Sequence, residues 1–308
     1  MKMKWTPAIL VALVVAFFAM AGCQTKPTVA NDNPDRRIEA AGTSMMKPVE
    51  INPETVIIDA RAAFDYAGAH VPKSIPMTWS DFTEPEPAQR GILQADLFAI
   101  TRRLARLGID PATHVVVAGK GKNGKGEEGR IAWMLSYLGI DNVQFAEIDS
   151  LGARFTNVKE ANPPKSVAMW KPEPATSLNV TKDEVLFAIN KQAIVKAEAY
   201  KGTEPRLYKI IDVREEKDYL GHVGLGSKTN IPNMGGINIP WKEFFTETLL
   251  PDSSIEKKLK AVGVTEDCRV IVLDQDGVAS AAVTMALRSF GYTHAGNYSG
   301  GLQDLLGR

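Results

Sequence analysis

A strand, a tight loop and a helix follow one another in residues 269–292, and this stretch constrains the fold more than any other. Residues 270–273 are a β-branched apolar run without a period, which indicates a strand buried on both faces. Residues 281–290 are small and apolar and predict a helix that ends at Gly291. A loop that leaves the carboxyl end of a strand and enters a helix turns several backbone N–H groups inward. The sequence therefore predicts a concave anion site at residues 274–279.

The same arrangement occurs twice along the chain. An Asp-x-Arg triplet lies at the carboxyl end of a predicted strand in each half, with Asp59 and Arg61 in the first and Asp212 and Arg214 in the second. A further strand, loop and helix follow each triplet at a similar offset, which indicates an internal duplication. In α/β sheets, the binding crevice lies at the carboxyl ends of the strands. Both triplets are therefore expected beside such a crevice.

The loop of the first half, residues 119–126, is rich in glycine and lysine and contains no thiol. It lies between a predicted strand at residues 114–118 and a predicted helix at residues 130–137. Its spacing differs from Gly-x-x-x-x-Gly-Lys-Ser/Thr, so a Walker loop is not indicated. The main interpretation is a flexible, basic surface loop, and the alternative is an anion site formed by its backbone amides.

A histidine motif and a pair of glycines complete the pattern. Tyr66 is followed after three residues by His70, Val71 and Pro72, and Tyr-Ser-Gly-Gly occupies residues 298–301. With the loop, these motifs resemble the rhodanese family in two tandem copies. The resemblance implies an α/β fold of two rhodanese-like domains, each a doubly wound parallel sheet of about five strands flanked by helices. Tandem relatives are thiosulfate or 3-mercaptopyruvate sulfurtransferases.

The loop differs from the family pattern at its first residue. In that family this residue is a cysteine that carries sulfane sulfur as a persulfide, and the loop amides stabilise its anion. The loop here consists of Asp274, Gln275, Asp276, Gly277, Val278 and Ala279. A carboxylate cannot accept sulfur, so we expect a degenerate loop with no catalytic residue, no cofactor and no metal. The Asp274 carboxylate is expected to act as a built-in anion, ionised and with a pKa below its usual value.

The resemblance gives structural or pocket roles to five further residues, Asp59, Arg61, His70, Asp212 and Arg214. Arg214 is expected to anchor its loop by an ion pair with an acidic residue rather than to bind substrate. For His70, the alternative is a solvated side chain in a proline-terminated loop.

Cys268 is the only thiol outside the N-terminal leader. It precedes the predicted strand at the end opposite the loop, six residues before Asp274, so a small buried side chain is expected. The expected function is a non-catalytic, membrane-tethered module that binds a partner protein or a small anion. The alternative, a residual sulfurtransferase, would need Cys268 to act or a chemistry without a thiol.

The N-terminal residues have the sequence pattern of a targeting signal. A basic start and an apolar run at residues 8–20 lead to Met-Ala-Gly-Cys, which resembles a lipoprotein cleavage box ending at Cys23. We therefore predict a signal peptide at residues 1–23, a lipid on Cys23 and a polar tether at residues 24–48. Gln24 favours an outer-membrane lipoprotein facing the periplasm of a two-membrane host, or one at the cell surface. The alternatives are an ordinary signal peptide or one membrane anchor, but the apolar run is shorter than the ~20 residues of a span.

The rest of the chain divides into two domains. We predict the first at residues 49–158, a proline-rich linker at residues 159–178 and the second at residues 179–308. Basic and acidic residues balance at 36 each, and no basic run is present, so a nucleic-acid partner is not indicated. The expected partners are the membrane through Cys23, an envelope protein and a small anion.

Overall fold

A computed structural model describes residues 45–158, 165–191, 207–221 and 233–307. These residues all belong to one compact unit of the chain. The predicted signal peptide, the lipidation site at Cys23 and most of the predicted tether lie outside the described residues. Within the described ranges, no helix combines the length and the apolar character needed to cross a bilayer.

The described strands form two sheets. Their bounds are β1 Val56–Asp59, β2 Ile75–Pro76, β3 Val115–Gly119, β4 Val143–Glu147, β5 Leu207–Asp212, β6 Ile237–Asn238, β7 Cys268–Leu273 and β8 Ala295–Asn297. The α-helices are α1 Ala63–Gly68, α2 Leu97–Arg106, α3 Glu127–Leu138, α4 Lys182–Lys191, α5 Glu216–Tyr219, α6 Ile255–Ala261, α7 Ala279–Ser289 and α8 Gly301–Leu306. Short 3-10 helices span Trp79–Phe82, Pro87–Gln89, Gly121–Asn123, Ile148–Leu151, Thr176–Leu178 and Trp241–Phe244.

The two sheets repeat one topology. Their strand orders are β2-β1-β3-β4 and β6-β5-β7-β8, and every pairing between neighbouring strands is parallel. The central strands β3 and β7 are buried along their whole length, as expected for strands covered on both faces. The predicted α/β fold and the duplication are therefore confirmed. Each sheet has four strands in the described residues rather than the predicted five or so.

The predicted elements are present with shifted ends. The strand predicted at residues 270–273 begins two residues earlier, at Cys268, and the helix predicted at residues 281–290 begins at Ala279. The helix predicted at residues 130–137 is α3, which begins at Glu127 after a left-handed Gly126 and ends before a left-handed Gly139. Glycine reaches this backbone conformation without steric cost, which explains both ends of α3.

Small residues bring the two domains together. The helices α3 and α7 pack against each other, and a side-chain carbon added to Gly129 would lie 2.6 Å from the Cα of Ala282. Such a close approach leaves no room for larger side chains at the crossing. One apolar core therefore continues from residues of the first domain such as Trp133 to residues of the second such as Val270.

The described part of the linker, which was predicted at residues 159–178, packs along the first domain. The N–H of Val167 donates to the carbonyl of Ala105, at 2.9 Å. The carbonyl of Trp170 accepts from the Thr101 hydroxyl at 3.0 Å, and its indole N–H donates to Ile109 at 3.0 Å. These bonds hold the linker against α2 and the turn that follows it.

Candidate functional site

Asp274 follows directly after β7, and the loop folds around its side chain. The carboxylate is 4% exposed, and its Oδ1 accepts a hydrogen bond from the N–H of Gly277 at 2.5 Å. Its Oδ2 accepts from the N–H groups of Ala279 at 2.7 Å and Ser280 at 3.2 Å. Asp274 thus accepts hydrogen bonds from the loop amides, as the sequence predicted. The inward-facing amides at the N-terminus of α7 are satisfied by the chain's own carboxyl group.

The side chains of Ser280 and Asn297 form further hydrogen bonds with this loop. The Ser280 hydroxyl lies 3.0 Å from Asp274 Oδ1 and 2.6 Å from the side-chain oxygen of Asn297. The Asn297 amide nitrogen donates to the carbonyl of Gly277 at 3.2 Å, which fixes the orientation of that amide. A hydroxyl has one proton and cannot donate to both oxygens at once. The Ser280 hydroxyl therefore bridges Asp274 and Asn297 and donates its proton to one of the two oxygens.

The pKa of Asp274 follows from this environment. Burial raises the pKa of the Asp274 carboxyl, and the hydrogen bonds from Gly277, Ser280 and Ala279 oppose that rise. The predicted depression of this pKa is therefore wrong. The loop amides favour the carboxylate as expected, but the loss of hydration at a fully buried position has the larger effect.

The pKa of Asp276, two residues further on, depends on the neighbouring carboxyl group of Asp274. Burial, followed by the charge of Asp274, raises the pKa of the Asp276 carboxyl to about 6, while Lys125 and Arg130 oppose the rise. Two neighbouring carboxyl groups do not both ionise readily, because their negative charges repel each other. The loop therefore tends to hold a proton near neutral pH.

Arg130 reaches the loop from the other domain. It is 1% exposed on α3, and its guanidinium donates to the carbonyl of Gly277 at 3.4 Å and to the carbonyl of Gly91. Burial lowers the pKa of Arg130 to about 10, opposed by the charges of Asp274 and Asp276. The sequence analysis did not identify this contact. The available signal was an arginine directly before the apolar run at residues 131–135.

A cavity of about 300 Å³ lies above the loop, between the two domains. It is lined by Gly124, Lys125, Val213, Arg214, Glu215, Asp218, Trp241, Lys242, Asp274, Gln275, Asp276 and Ala279. The lining includes the residues that follow β5 and β7, which is where parallel α/β sheets form their ligand crevices. Lysines from both domains, Lys125 and Lys242, contribute positive charge to this cavity.

The Asp-x-Arg triplets form matching ion pairs in the two domains. Asp212 accepts from Arg214 Nε at 3.0 Å and from Nη2 at 2.7 Å, and Asp59 accepts from Arg61 at the same two distances. The guanidinium of Arg61 also donates to the carbonyl of Ala69 at 2.7 Å. Arg214 therefore makes the predicted ion pair with an acidic residue while its side chain also lines the cavity.

The rhodanese-like domain profile matches residues 45–147 and 195–307, which together are more than half of the chain. The chain belongs to the rhodanese-like domain family. Among solved structures, a variant of EanB in complex with ergothioneine has a TM-score of 0.65 at 16% identity, over 84% of this chain and 63% of that one. A variant of EanB bound to hercynine has a TM-score of 0.66 at the same identity and coverage. This chain therefore spans less than two thirds of EanB.

SseA from Escherichia coli, a 3-mercaptopyruvate sulfotransferase with the rhodanese fold, has a TM-score of 0.63 at 20% identity. The similarity covers 81% of this chain and 93% of SseA. No curated protein matches the sequence. At these identities, the structural similarities establish the shared fold.

His70 supports the rhodanese fold away from the Asp274 loop. Its ring is 4% exposed and stacks on Tyr66 with the ring centres 4.0 Å apart. Its Nδ1 lies 2.8 Å from the Tyr66 carbonyl oxygen. The alternative of a solvated histidine is therefore wrong, because the ring is buried against Tyr66.

Cys268 lies at the end of β7 opposite the loop. It is the first residue of that strand and is fully buried, with its sulfur 3.3 Å from the hydroxyl of Thr265. The strand separates Cys268 from Asp274, so the structure does not bring the thiol into the cavity. The predicted small buried side chain is confirmed.

The first-domain loop at residues 119–126 differs from the expected surface loop. Gly121 is buried in a 3-10 turn, and Lys122 forms an ion pair with Glu247 of the second domain at 3.0 Å. Lys125 lines the cavity between the two domains. The loop is therefore an interdomain element, because its lysines reach across to the other rhodanese domain. In the described ranges, no group of three or more His, Cys, Asp and Glu side chains is arranged to hold a metal ion.

Proposed function

We propose that this rhodanese-family protein is a catalytically inactive binding module of the cell envelope, with the interdomain cavity as its ligand site. The observation that supports this proposal is the position of Asp274, whose carboxyl group occupies the amide loop at the end of β7. Persulfide transfer requires a thiolate there to carry the sulfur. A carboxyl oxygen cannot form that intermediate.

The cavity supports a ligand that carries a small anionic group. Lys125 of the first domain and Lys242 of the second both line it, and Lys242 Nζ lies 3.9 Å from a carboxylate oxygen of Glu215. Acidic side chains also line the cavity: Glu215, Asp218, Asp274 and Asp276. An anionic group is favoured at the lysines and is repelled by these acidic side chains wherever they ionise. The ligand, a free small anion or an acidic side chain of an envelope protein, is thus expected to contact the lysines rather than the loop amides.

The proposed attachment to the cell envelope is based on the N-terminal sequence that ends at Cys23. The Met-Ala-Gly-Cys sequence at residues 20–23 supports a lipid on Cys23, and a polar segment separates Cys23 from the first domain. A polar segment of this kind would serve as a tether between the membrane surface and the binding module. The proposed location is the outer membrane facing the periplasm, or the cell surface.

A residual sulfurtransferase is the second candidate, and it draws support from the fold shared with SseA. The experiment is a sulfurtransferase assay on the purified full chain with thiosulfate or 3-mercaptopyruvate as donor and cyanide as acceptor. The expected result is no turnover above buffer, with Cys268→Ala indistinguishable from wild type. Turnover that disappears in Cys268→Ala would replace the binding proposal with the enzymatic one.

Ligand binding is tested separately from catalysis. Thiosulfate titrated into the wild type at low salt is expected to bind more weakly in Lys125→Ala and in Lys242→Ala, because each removes one positive charge from the cavity. Lys257→Ala serves as the control, since that lysine is exposed on α6 and does not line the cavity. Equal binding by all four proteins would contradict the assignment of the cavity.

A further inference from the structure

The first residue of each loop can be matched through the strand registers. Asp59 pairs with Ala118 in the first sheet, and Asp212 pairs with Leu273 in the second. Because Asp59 and Asp212 hold the same place in the two triplets, the residues that follow their partners also correspond. Gly119 is therefore the counterpart of Asp274, and the first domain has no side chain at that position.

A carboxyl group nevertheless fills that space. Glu128, the second residue of α3, is fully buried, and its side chain lies against Gly119. A side-chain carbon added to Gly119 would lie 2.7 Å from the carboxyl carbon of Glu128 and would overlap one of its oxygens. Both domains thus place a carboxyl group at the start of the loop, although it comes from different positions in the sequence.

The two carboxyl groups are held very differently. Asp274 accepts three backbone hydrogen bonds, whereas neither oxygen of Glu128 has a hydrogen-bond partner among the described residues. The N–H groups of Gly121 and of Glu128 itself lie close enough to lower the pKa of this carboxyl but do not reach hydrogen-bond geometry, while Glu127 and Glu147 raise its pKa. Burial has the largest effect and raises the pKa of Glu128 to about 8. The group is therefore a neutral acid at neutral pH.

An unpartnered carboxyl in a buried position calls for an explanation. The N-terminus of a twelve-residue helix attracts an anion through its free N–H groups and its dipole. A neutral carboxyl satisfies this attraction poorly. We propose that the first domain retains a cradle for a small oxyanion such as sulfate, and that the buried, unpartnered side chain of Glu128 occupies it as a built-in plug. This inference does not depend on the ligand proposed for the interdomain cavity.

Removal of the plug tests the proposal. The full chain and its Glu128→Ala and Glu128→Gln variants are melted at neutral pH in sodium sulfate and in sodium chloride of equal ionic strength. Sulfate is expected to raise the melting temperature of Glu128→Ala by roughly 3 °C or more beyond its effect on wild type, because it binds the vacated site. Glu128→Gln retains the plug and should respond like wild type.

Sulfate also stabilises proteins generally, so the control is a cavity without amides. Leu104→Ala removes a fully buried apolar side chain from the same domain and should show only the general effect. An equal response to sulfate in Glu128→Ala and Leu104→Ala would overturn the cradle. So would a response in Glu128→Gln as large as that in Glu128→Ala.

A second measurement covers the case in which Glu128→Ala does not fold. The pH dependence of unfolding is compared between wild type and Glu128→Gln. A pKa raised in the folded state means that wild type loses stability as pH rises from the unfolded value towards about 8. Glu128→Gln lacks this loss, so its stability relative to wild type should increase over that range. Superimposable pH profiles would refute the neutral plug.

Discussion

Arg130 of the first domain donates a hydrogen bond to the carbonyl of Gly277 in the second, at 3.4 Å. The same guanidinium donates to Gly91, so one buried cation supports the loop around Asp274 through its backbone. This arrangement makes the loop of the second domain dependent on a helix of the first. The first rhodanese domain therefore supplies a side chain that supports the loop of the second.

Replacement of Arg130 tests this dependence. In Arg130→Met, the carbonyl of Gly91 remains buried without its donor, and the carbonyl of Gly277 keeps only its bond from Asn297. The expected cost is about 1–3 kcal/mol in the free energy of unfolding. The loss is measured by denaturant unfolding. Arg106→Met, an exposed arginine of the same domain, should change stability by no more than about 0.5 kcal/mol. Equal effects of the two substitutions would contradict the role of Arg130.

Asp274→Ala removes the built-in carboxyl of the second domain. The N–H groups of Gly277 and Ala279 then lose their acceptor, and we expect a loss of roughly 2–4 kcal/mol in the free energy of unfolding. Sulfate should restore part of that loss in thermal melts, beyond its general stabilising effect on wild type, because it offers the amides a new acceptor. Glu266→Ala, at an exposed site before β7, is the control. Identical sulfate responses in Asp274→Ala and wild type would show that the Asp274 carboxyl does not fill an anion site.

Gly277→Ala tests the backbone of the loop. Gly277 has a φ of +78°, and an added side-chain carbon would overlap the carbonyl oxygen of Ser299. Strain and overlap together should destabilise the protein by more than about 2 kcal/mol, measured by thermal unfolding. Gly68→Ala is the matched control, because it lies in a helix with no heavy atom near the added carbon and should stabilise the protein by up to ~1 kcal/mol. A tolerated Gly277→Ala would mean that the loop can relax.

Much of the fold could be predicted because it depends on local patterns. The buried strand before Asp274, the glycine at the end of α3 and the duplicated Asp-x-Arg triplet are all visible over a few residues of sequence. The contact between Arg130 and Gly277 could not be predicted in this way, since it depends on the packing of α3 against α7.

The pKa of Asp274 and the burial of Glu128 could not be predicted from the sequence either. A carboxylate among loop amides predicts a low pKa, but the depth of burial reverses that direction at Asp274. Glu128 was missed because an acidic residue in the first turn of a helix is usually an exposed partner of the helix dipole. Only the space left by Gly119 allows its side chain to turn inward.

Cys23→Ser tests the predicted lipid anchor. Lipidation needs the thiol of Cys23, so the variant should lose acyl labelling and leave the membrane fraction. Cys268→Ser is the matched control, because that thiol is buried in β7 and should not affect labelling. Unchanged labelling and fractionation of Cys23→Ser would show that the protein is held at the membrane in another way, or not at all.

The last prediction concerns the proton held by the loop. The pKa of Asp276 is raised from 3.8 to about 6 by burial and by Asp274, so the folded protein binds this proton more tightly than the unfolded chain. Stability is therefore greatest below the unfolded pKa and is lost as pH rises through the folded one, by on the order of 3 kcal/mol. Asp276→Asn cannot ionise and should make the pH profile of the free energy of unfolding less steep between those two values, with the contribution of Glu128 remaining. Asp267→Asn, at an exposed site, should keep the wild-type slope. If Asp276→Asn retains the full slope, the proton is held elsewhere, and the assignment to this carboxyl pair is wrong.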